Sequence, residues 1–245
     1  MSRERVGSVR FIPMQNTPAN GVRVAIIVAG TNEPSNADFL ADSFAEGARS
    51  VPGVVIEKIR LKDLRMDHFI LRHYEPLTHD ADDFPKVREM ILRADAVVLA
   101  SPIWNFSVPS HLKNLIDRMG AFGLDETHSI GTLNSKPFFL LFTGGSPAVA
   151  WPLLKRTTSH LPRAIQYFGG AVLGIHYEGR CTKGRGIFGL VVNQRLRSIA
   201  AVRAKGNAFA RSILECQRTG QLPLQHRTTQ KCIRLAQKLK RGLGL

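Results

Sequence analysis

The 245-residue chain is poor in cysteine, in tyrosine and tryptophan and, over its last quarter, in acid. Its three cysteines, Cys181, Cys216 and Cys232, are odd in number and lack metal-ligand spacing. That excludes a disulfide framework and a cysteine-held cluster, and it suits a reducing cytoplasm. No run approaches the roughly 18 to 20 apolar residues that a membrane-spanning helix needs. Arg3, Arg5 and Arg10 have no apolar segment behind them, so a secretory signal is not expected. The shortage of acid is local. Residues 1–178 hold 19 Lys and Arg against 18 Asp and Glu, whereas residues 179–245 hold 15 against Glu215 alone. The net charge of +15 therefore divides into +1 and +14. The basic end points to an anionic partner: membrane lipid, nucleic acid or another protein.

What is present is an alternation of two periods. Residues 22–30, 96–101, 137–142 and 170–175 are short, largely apolar runs without polar alternation, the pattern of strands buried on both faces, and 54–61, with Glu57, Lys58 and Arg60, reads as a further strand. Between them lie helical spacings. Ala37, Leu40, Ala41, Phe44, Ala48 and Val51 form one apolar face. Val87, Met90, Ile91 and Ala94 form a second, behind an Asp83 cap with Pro85 in the first turn. Leu112, Leu115, Ile116 and Met119 form a third, with Pro109 in its first turn, where a missing N–H costs nothing. A fourth helix breaks near Pro162, and residues 190–220 read as one long basic helix. Residues 62–82 are irregular.

Five such units predict an α/β fold: a doubly wound, five-stranded parallel sheet of order 2-1-3-4-5 with a basic helical C-terminal extension. The expected organisation is a flexible arm over residues 1–21, an α/β domain over 22–220 and a basic amphipathic extension over 221–245.

In that strand order the loops after strands one, three and four meet at one crevice. The first loop leads into a helix, whose N–H groups and dipole suit an anion, and Thr31, Ser35 and Asn36 add side-chain donors. The second presents Trp104 and Phe106 to flank a flat heterocycle, with Ile103 and Asn105 for backbone or amide contacts. The third, Thr143-Gly144-Gly145, lets backbone approach a ligand closely. Singly these are a helix cap, an aromatic loop packed on a partner, and a tight turn. Together, at three converging strand ends, they describe a flavin-sized pocket.

Ser101-Pro102-Ile103-Trp104-Asn105-Phe106-Ser107-Val108-Pro109, followed by Leu112-Lys113-Asn114-Leu115-Ile116-Asp117-Arg118, resembles the signature of the NAD(P)H-dependent FMN reductases of the flavodoxin-like superfamily. Gly30-Thr31-Asn32 with Ser35-Asn36 is similar to that family's phosphate loop, and Thr143-Gly144-Gly145 to its third flavin loop. The likeness covers roughly residues 22–180, and the segment from Asp82-Asp83-Phe84 to Ala94-Asp95-Ala96 is nearest the iron–sulfur flavoprotein branch.

The resemblance implies that Thr31, Asn32, Ser35 and Asn36 hold the FMN phosphate. Pro102, Ile103, Trp104, Asn105 and Phe106 would bracket the isoalloxazine, and Thr143, Gly144 and Gly145 would line its pyrimidine side. It implies hydride transfer from NADPH or NADH through flavin N5 to a quinone, a nitro or azo compound or free flavin, with no side-chain acid or base. It also implies a homodimer or homotetramer. The rival readings are a non-catalytic FMN-binding electron-transfer or regulatory protein, and an interaction protein that has lost its flavin.

Two residues depart from the family pattern. Glu33 stands where the phosphate loop usually has arginine, so either it faces solvent or the phosphate is held less tightly. The iron–sulfur branch's cysteines are absent, so no cluster and no metal are expected; His68, His73, His79 and Asp80 read as loop residues. Gly184-Arg185-Gly186-Ile187-Phe188-Gly189 satisfies G-x-G-x-x-G without the strand or acid that would make it a dinucleotide site, and reads as a basic loop. Cys181, between Arg180 and Lys183, reads as a bystander, the alternative being a thiol of lowered pKa.

In the tail, Cys232, Leu235, Ala236, Leu239 and Leu243 fall near helical spacing among Lys231, Arg234, Lys238, Lys240 and Arg241. This is either a solvated helix docked on the core or a peripheral contact with anionic membrane through residues 226–245. Specific nucleic-acid binding is not expected, because no recognition motif accompanies the charge.

Overall fold

The structure, a computed structural model, describes residues 21–75, 81–184, 187 and 189–242. The arm at 1–20, His79 and Asp80, Leu243, and Arg185, Gly186 and Phe188 of the glycine loop lie outside the described residues.

Strands β1 (Val22–Val28), β2 (Val54–Arg60), β3 (Ala96–Pro102), β4 (Pro137–Thr143) and β5 (Ala171–Glu178) form one parallel sheet of order β2-β1-β3-β4-β5. The expected flavodoxin-like order is the observed one. β3 and β4 are buried at every residue, which is why they read as unbroken apolar runs.

Helices α1 (Asn36–Arg49) and α6 (Leu196–Thr219) cover one face, where Leu40 and Phe44 pack with Val202, Phe209 and Ile213. The other face is covered by α2 (Phe84–Arg93), α3 (Ser110–Gly123), α4 (Trp151–Thr157) and α5 (His160–Tyr167), through Val87, Met90, Leu112, Leu115, Leu161 and Ile165. Gly47 and Gly206 let α1 and α6 touch: a Cβ on either would stand 1.9 Å from the Arg203 oxygen or 2.1 Å from the Phe44 oxygen. A last helix, α7 (Leu224–Gly242), packs on α5 and β5.

Several local expectations are corrected. Asp83 precedes α2 but caps nothing with its side chain, which accepts from the Arg65 N–H and from Lys86. It is Asp82 that accepts the Phe84 N–H, at 2.9 Å. Pro109 is the residue before α3 rather than in its first turn. The fourth helix does break near Pro162, as expected, at Thr158–Ser159, and Pro162 sits in the first turn of α5, where it displaces no intrahelical bond. The long basic helix starts only at Leu196, because Val191 and Val192 give their N–H groups to Asn36 and Arg195 is tied to Glu178 at 2.8 Å. Finally, α7 docks on the core, but not by its leucines. Gln230 and Gln237 are its buried residues, while Leu235 and Leu239 face outward.

A buried ion pair joins Asp82, ahead of α2, to the helical layer. Arg118 of α3 is fully buried, donates to the Asp82 carboxylate and lies 4.1 Å from the centre of the Phe84 ring. Burial opposes ionisation of Asp82, but hydrogen bonds from Arg118 and from the Phe84 and Asp67 N–H groups hold its carboxyl below the usual range. Replacing Arg118 by methionine or Asp82 by asparagine strands the partner in the interior. Either change is expected to lower the free energy of unfolding by about 3–5 kcal/mol in urea denaturation at neutral pH. The Asp82 contribution is complete above the ordinary aspartate pKa of about 4 and is lost as pH falls through the lowered native value. The gap between wild type and Asp82→Asn should therefore close in acid.

Candidate active site

The carboxyl ends of β1, β3 and β4 open into one cleft of about 520 Å³, within the roughly 300–1,000 Å³ of small-molecule sites. Eleven of the twelve expected site residues line it: Thr31, Asn32, Ser35, Asn36, Pro102, Ile103, Trp104, Asn105, Thr143, Gly144 and Gly145. Phe106 does not.

Backbone bonds across the strand ends hold the cleft's floor. The Ala29 N–H donates to Ala100 at 2.7 Å, Ile103 to Thr143 at 2.7 Å and Gly144 to Glu178 at 3.0 Å. His111, at the start of α3, reaches the Ala29 oxygen through Nε2 at 2.8 Å. Burial pushes its imidazole below the usual pKa, against that hydrogen bond, so the ring is neutral at pH 7 and donates.

The anion end is built by α1. Ser35 is its N-cap; its Oγ accepts the Asp38 N–H at 3.3 Å and its carbonyl accepts the Phe39 N–H. The N–H groups of Asn36 and Ala37 have no intrahelical acceptor by position, and both residues line the cleft. Gly30 keeps the turn tight, since a Cβ there would stand 2.3 Å from Ser35 Oγ. The Asn36 amide, expected as a donor to an anion, is committed elsewhere. Its Nδ2 donates to the Gly189 oxygen at 2.8 Å and the Cys181 oxygen at 3.3 Å, and its Oδ1 accepts from Val191 and Val192 at 2.9 and 3.2 Å. Asn36 thus offers the cleft its backbone and spends its side chain tying α1 to the segment after β5.

Glu33 does not line the cleft. It is 61% exposed and pairs with Lys62 at 2.5 Å and Arg60 at 3.2 Å, in an adjoining hollow that shares Gly30, Asn32 and Ser35 with the cleft. The Lys62 hydrogen bond and the charges of Lys62 and Arg60 lower its carboxyl pKa. Of the two expectations for Glu33, the solvent-facing one describes the geometry.

The aromatic loop is a two-residue hairpin. Trp104 and Ser107 exchange both backbone bonds at 2.8 Å, with Asn105 and Phe106 at positive φ between them. Such turns require left-handed conformations at both central residues. Asn105 adopts one easily; a phenylalanine rarely does. The turn throws Phe106 outward, 66% exposed, and leaves Trp104 against the cleft.

At the third loop, the Tyr177 hydroxyl donates to the Ser146 oxygen at 2.7 Å, and its ring stacks on Trp151 at 5.1 Å. A Cβ on Gly144 would stand 2.7 Å from that hydroxyl, so a side chain there would have to displace the Tyr177 ring. Cys181 and Thr182, after β5, complete the lining. Thr182 carries no pattern that sequence reading could use. The Cys181 thiol is pushed up to about 11 by burial, so the bystander reading describes it and the activated-thiol reading does not. Among the described residues no three His, Cys, Asp or Glu side chains converge as metal ligands.

The arrangement fits a flat cofactor with a phosphate arm: a helix N-terminus at one end, backbone at the glycine loop, and an indole beside the opening. Residues 22–172 match the family model described as NADPH-dependent FMN reductase. FMN-dependent NADH:quinone oxidoreductase 2 of Pseudomonas aeruginosa is 29% identical over 97 residues, 38% of this chain and 48% of that protein. The FMN-dependent NADH:quinone oxidoreductase of Azospirillum brasilense is 29% identical over 127 residues, 49% of this chain and 57% of that protein. The chain spans about half the length of these curated relatives. In fold it is similar to the NAD(P)H:quinone oxidoreductase from Methanothermobacter marburgensis, with a TM-score of 0.61 at 20% identity over 77% of this chain and 96% of that one.

Asn36→Ala strips two N–H groups and two carbonyls of their partner and is expected to cost about 1–3 kcal/mol of stability. Chemical denaturation, with proteolysis to read loosening of residues 181–192, checks this.

Proposed function

The chain belongs to the NADPH-dependent FMN reductase family, and we propose from that premise that it is an FMN-dependent oxidoreductase. It takes hydride from NADH or NADPH and reduces a small acceptor: a quinone, a nitro or azo compound, or free flavin. The observation that carries this reading is the convergence of an α1 N-terminus, the Trp104 hairpin and the Gly144–Gly145 backbone on a single cleft. Bound there, FMN supplies the redox chemistry, accepting and donating hydride at N5. The chain's part is to bind and orient. The Ser35 hydroxyl and the Asn36 and Ala37 N–H groups would hold the phosphate, Trp104 would flank the ring, and Gly144 and Gly145 would leave room for its pyrimidine side. No side chain of the cleft acts as acid or base.

The working unit is a cytoplasmic homodimer or homotetramer. Phe106, Val149 and Leu153, 66, 84 and 61% exposed on segments after β3 and β4, support a second copy covering the cleft's rim. Phe106→Ser should shift a sedimentation-velocity profile toward monomer.

Purified protein mixed with FMN should show a bound-flavin absorbance that NADH or NADPH bleaches anaerobically and a soluble quinone restores. Bound flavin that neither nicotinamide bleaches would leave a carrier and overturn the enzyme reading. Ser35→Ala should weaken FMN binding by roughly tenfold, as loss of a hydrogen bond to a charged group requires. Glu33→Gln should change it by less than about threefold, because its ion pairs are exposed and lie outside the cleft.

A further inference from the structure

The helix α7 is built with its amphipathic faces reversed. Gln230 and Gln237, one heptad apart, are its buried residues; each donates through Nε2 to a core carbonyl, of Gly170 and of Tyr167. Leu224, Leu235 and Leu239 are 75, 60 and 59% exposed. At 3.6 residues per turn the three leucines fall within roughly 60° of one another, on the side opposite the glutamines. A helix that only completed a fold would bury its leucines and show its glutamines. Exposed Lys231 and Lys238 flank the stripe, and residues 224–242 hold six Lys and Arg with no Asp or Glu.

We infer that the outward face of α7 is a docking surface for an anionic lipid bilayer, with the leucines entering the headgroup boundary and the lysines meeting lipid phosphates. Charge decides among occupants. A second copy of the same face would bring Lys231 and Lys238 against their own copies. A nucleic acid would use the cations but leave the leucine stripe in water. An anionic bilayer uses both, since an in-plane helix gains from apolar burial and from lipid charge together.

The fold adds an orientation. Gln230 meets Gly170 just ahead of β5, Gln237 meets Tyr167 at the end of α5, and Arg241 stands 3.5 Å from Asp125 beyond α3. All three contacts lie where the strands begin, whereas the cleft lies where they end. A protein docked through α7 therefore turns its cleft toward water. Resting on the proposed function, the corollary is that its acceptor arrives from the aqueous side rather than from the bilayer beneath.

The test is sedimentation of the full chain with phosphatidylcholine vesicles, with and without phosphatidylserine. Pelleting should require phosphatidylserine and reverse at high salt. Leu235→Ser with Leu239→Ser, and separately Lys231→Glu with Lys238→Glu, should each raise the lipid needed for half-binding at least about tenfold. All four side chains are exposed, so circular dichroism and FMN binding should not change. Brominated lipid should quench a Leu239→Trp variant and leave Trp104 and Trp151, at the cleft end, unquenched. Equal pelleting on neutral vesicles, no pelleting, or indifference to the leucine changes would overturn the surface. So would a leucine-dependent oligomer without lipid, or DNA binding that the leucine changes abolish. Quenching of Trp104 in the unsubstituted chain would overturn the orientation. None of these readings depends on hydride transfer, so failure of the reductase activity would be a separate result.

Discussion

Everything at the cleft depends on one topological constraint: chain direction reverses between β1 and β3. From β1 the chain crosses to β2 on one side; from β3 it crosses to β4 on the other. Because parallel crossovers keep one hand, α1 must cover one face of the sheet and α3 the other. Their entry loops leave adjacent strand ends in opposite directions, and a gap opens between them. The gap is stitched at its base by the Ala29–Ala100 and Ile103–Thr143 backbone bonds and by His111 on the Ala29 oxygen. A ligand placed there meets the start of α1 on one side and the Trp104 hairpin on the other.

Polar side chains make several of the long-range connections. The Asn36 amide binds α1 to residues 181–192, Arg118 binds α3 to the stretch before α2, and Gln230 and Gln237 bind α7 to the far end of the sheet. Each satisfies backbone or carboxylate groups that irregular chain would otherwise leave unpaired in the interior. These segments, whose own secondary structure is limited to short 3-10 turns at Leu61–Asp63, Leu71–Tyr74 and Val192–Gln194, are thereby held in place. The same economy keeps Glu33 out of the anion end, since Arg60 and Lys62 offer it better partners beside β2.

The molecule has two chemically different ends. One is the cleft, lined chiefly by the nearly neutral part of the chain and completed by Cys181 and Thr182. The other is crossed by α7, which is cationic throughout and shows leucine to solvent. Of the fifteen Lys and Arg of residues 179–245, α7 carries six; the other nine precede it in the chain.

The sheet and the place of the cleft were legible because burial writes itself into sequence. β3 and β4 are covered on both sides, so every residue is apolar or small, and loops at the ends of such strands are where ligands meet open sheets. Local pattern pointed to the five strands, their order, the amphipathic helices of the core and nine of the residues that line the cleft; Asn32 and Pro102 came with the family resemblance. What only the tertiary structure decided were the side chains' partners. Asn36 has the right position for an anion ligand, yet the carbonyl and N–H groups that claim its amide lie about 150 residues away. Phe106 has the right chemistry for a stacking residue, yet the paired bonds of Trp104 and Ser107 turn it outward. The leucine spacing of α7 named a face correctly but not its direction, because two glutamines found unpaired carbonyls in the core. Periodicity reports which residues share a side; only the surroundings, brought together from distant parts of the chain, set which side is buried.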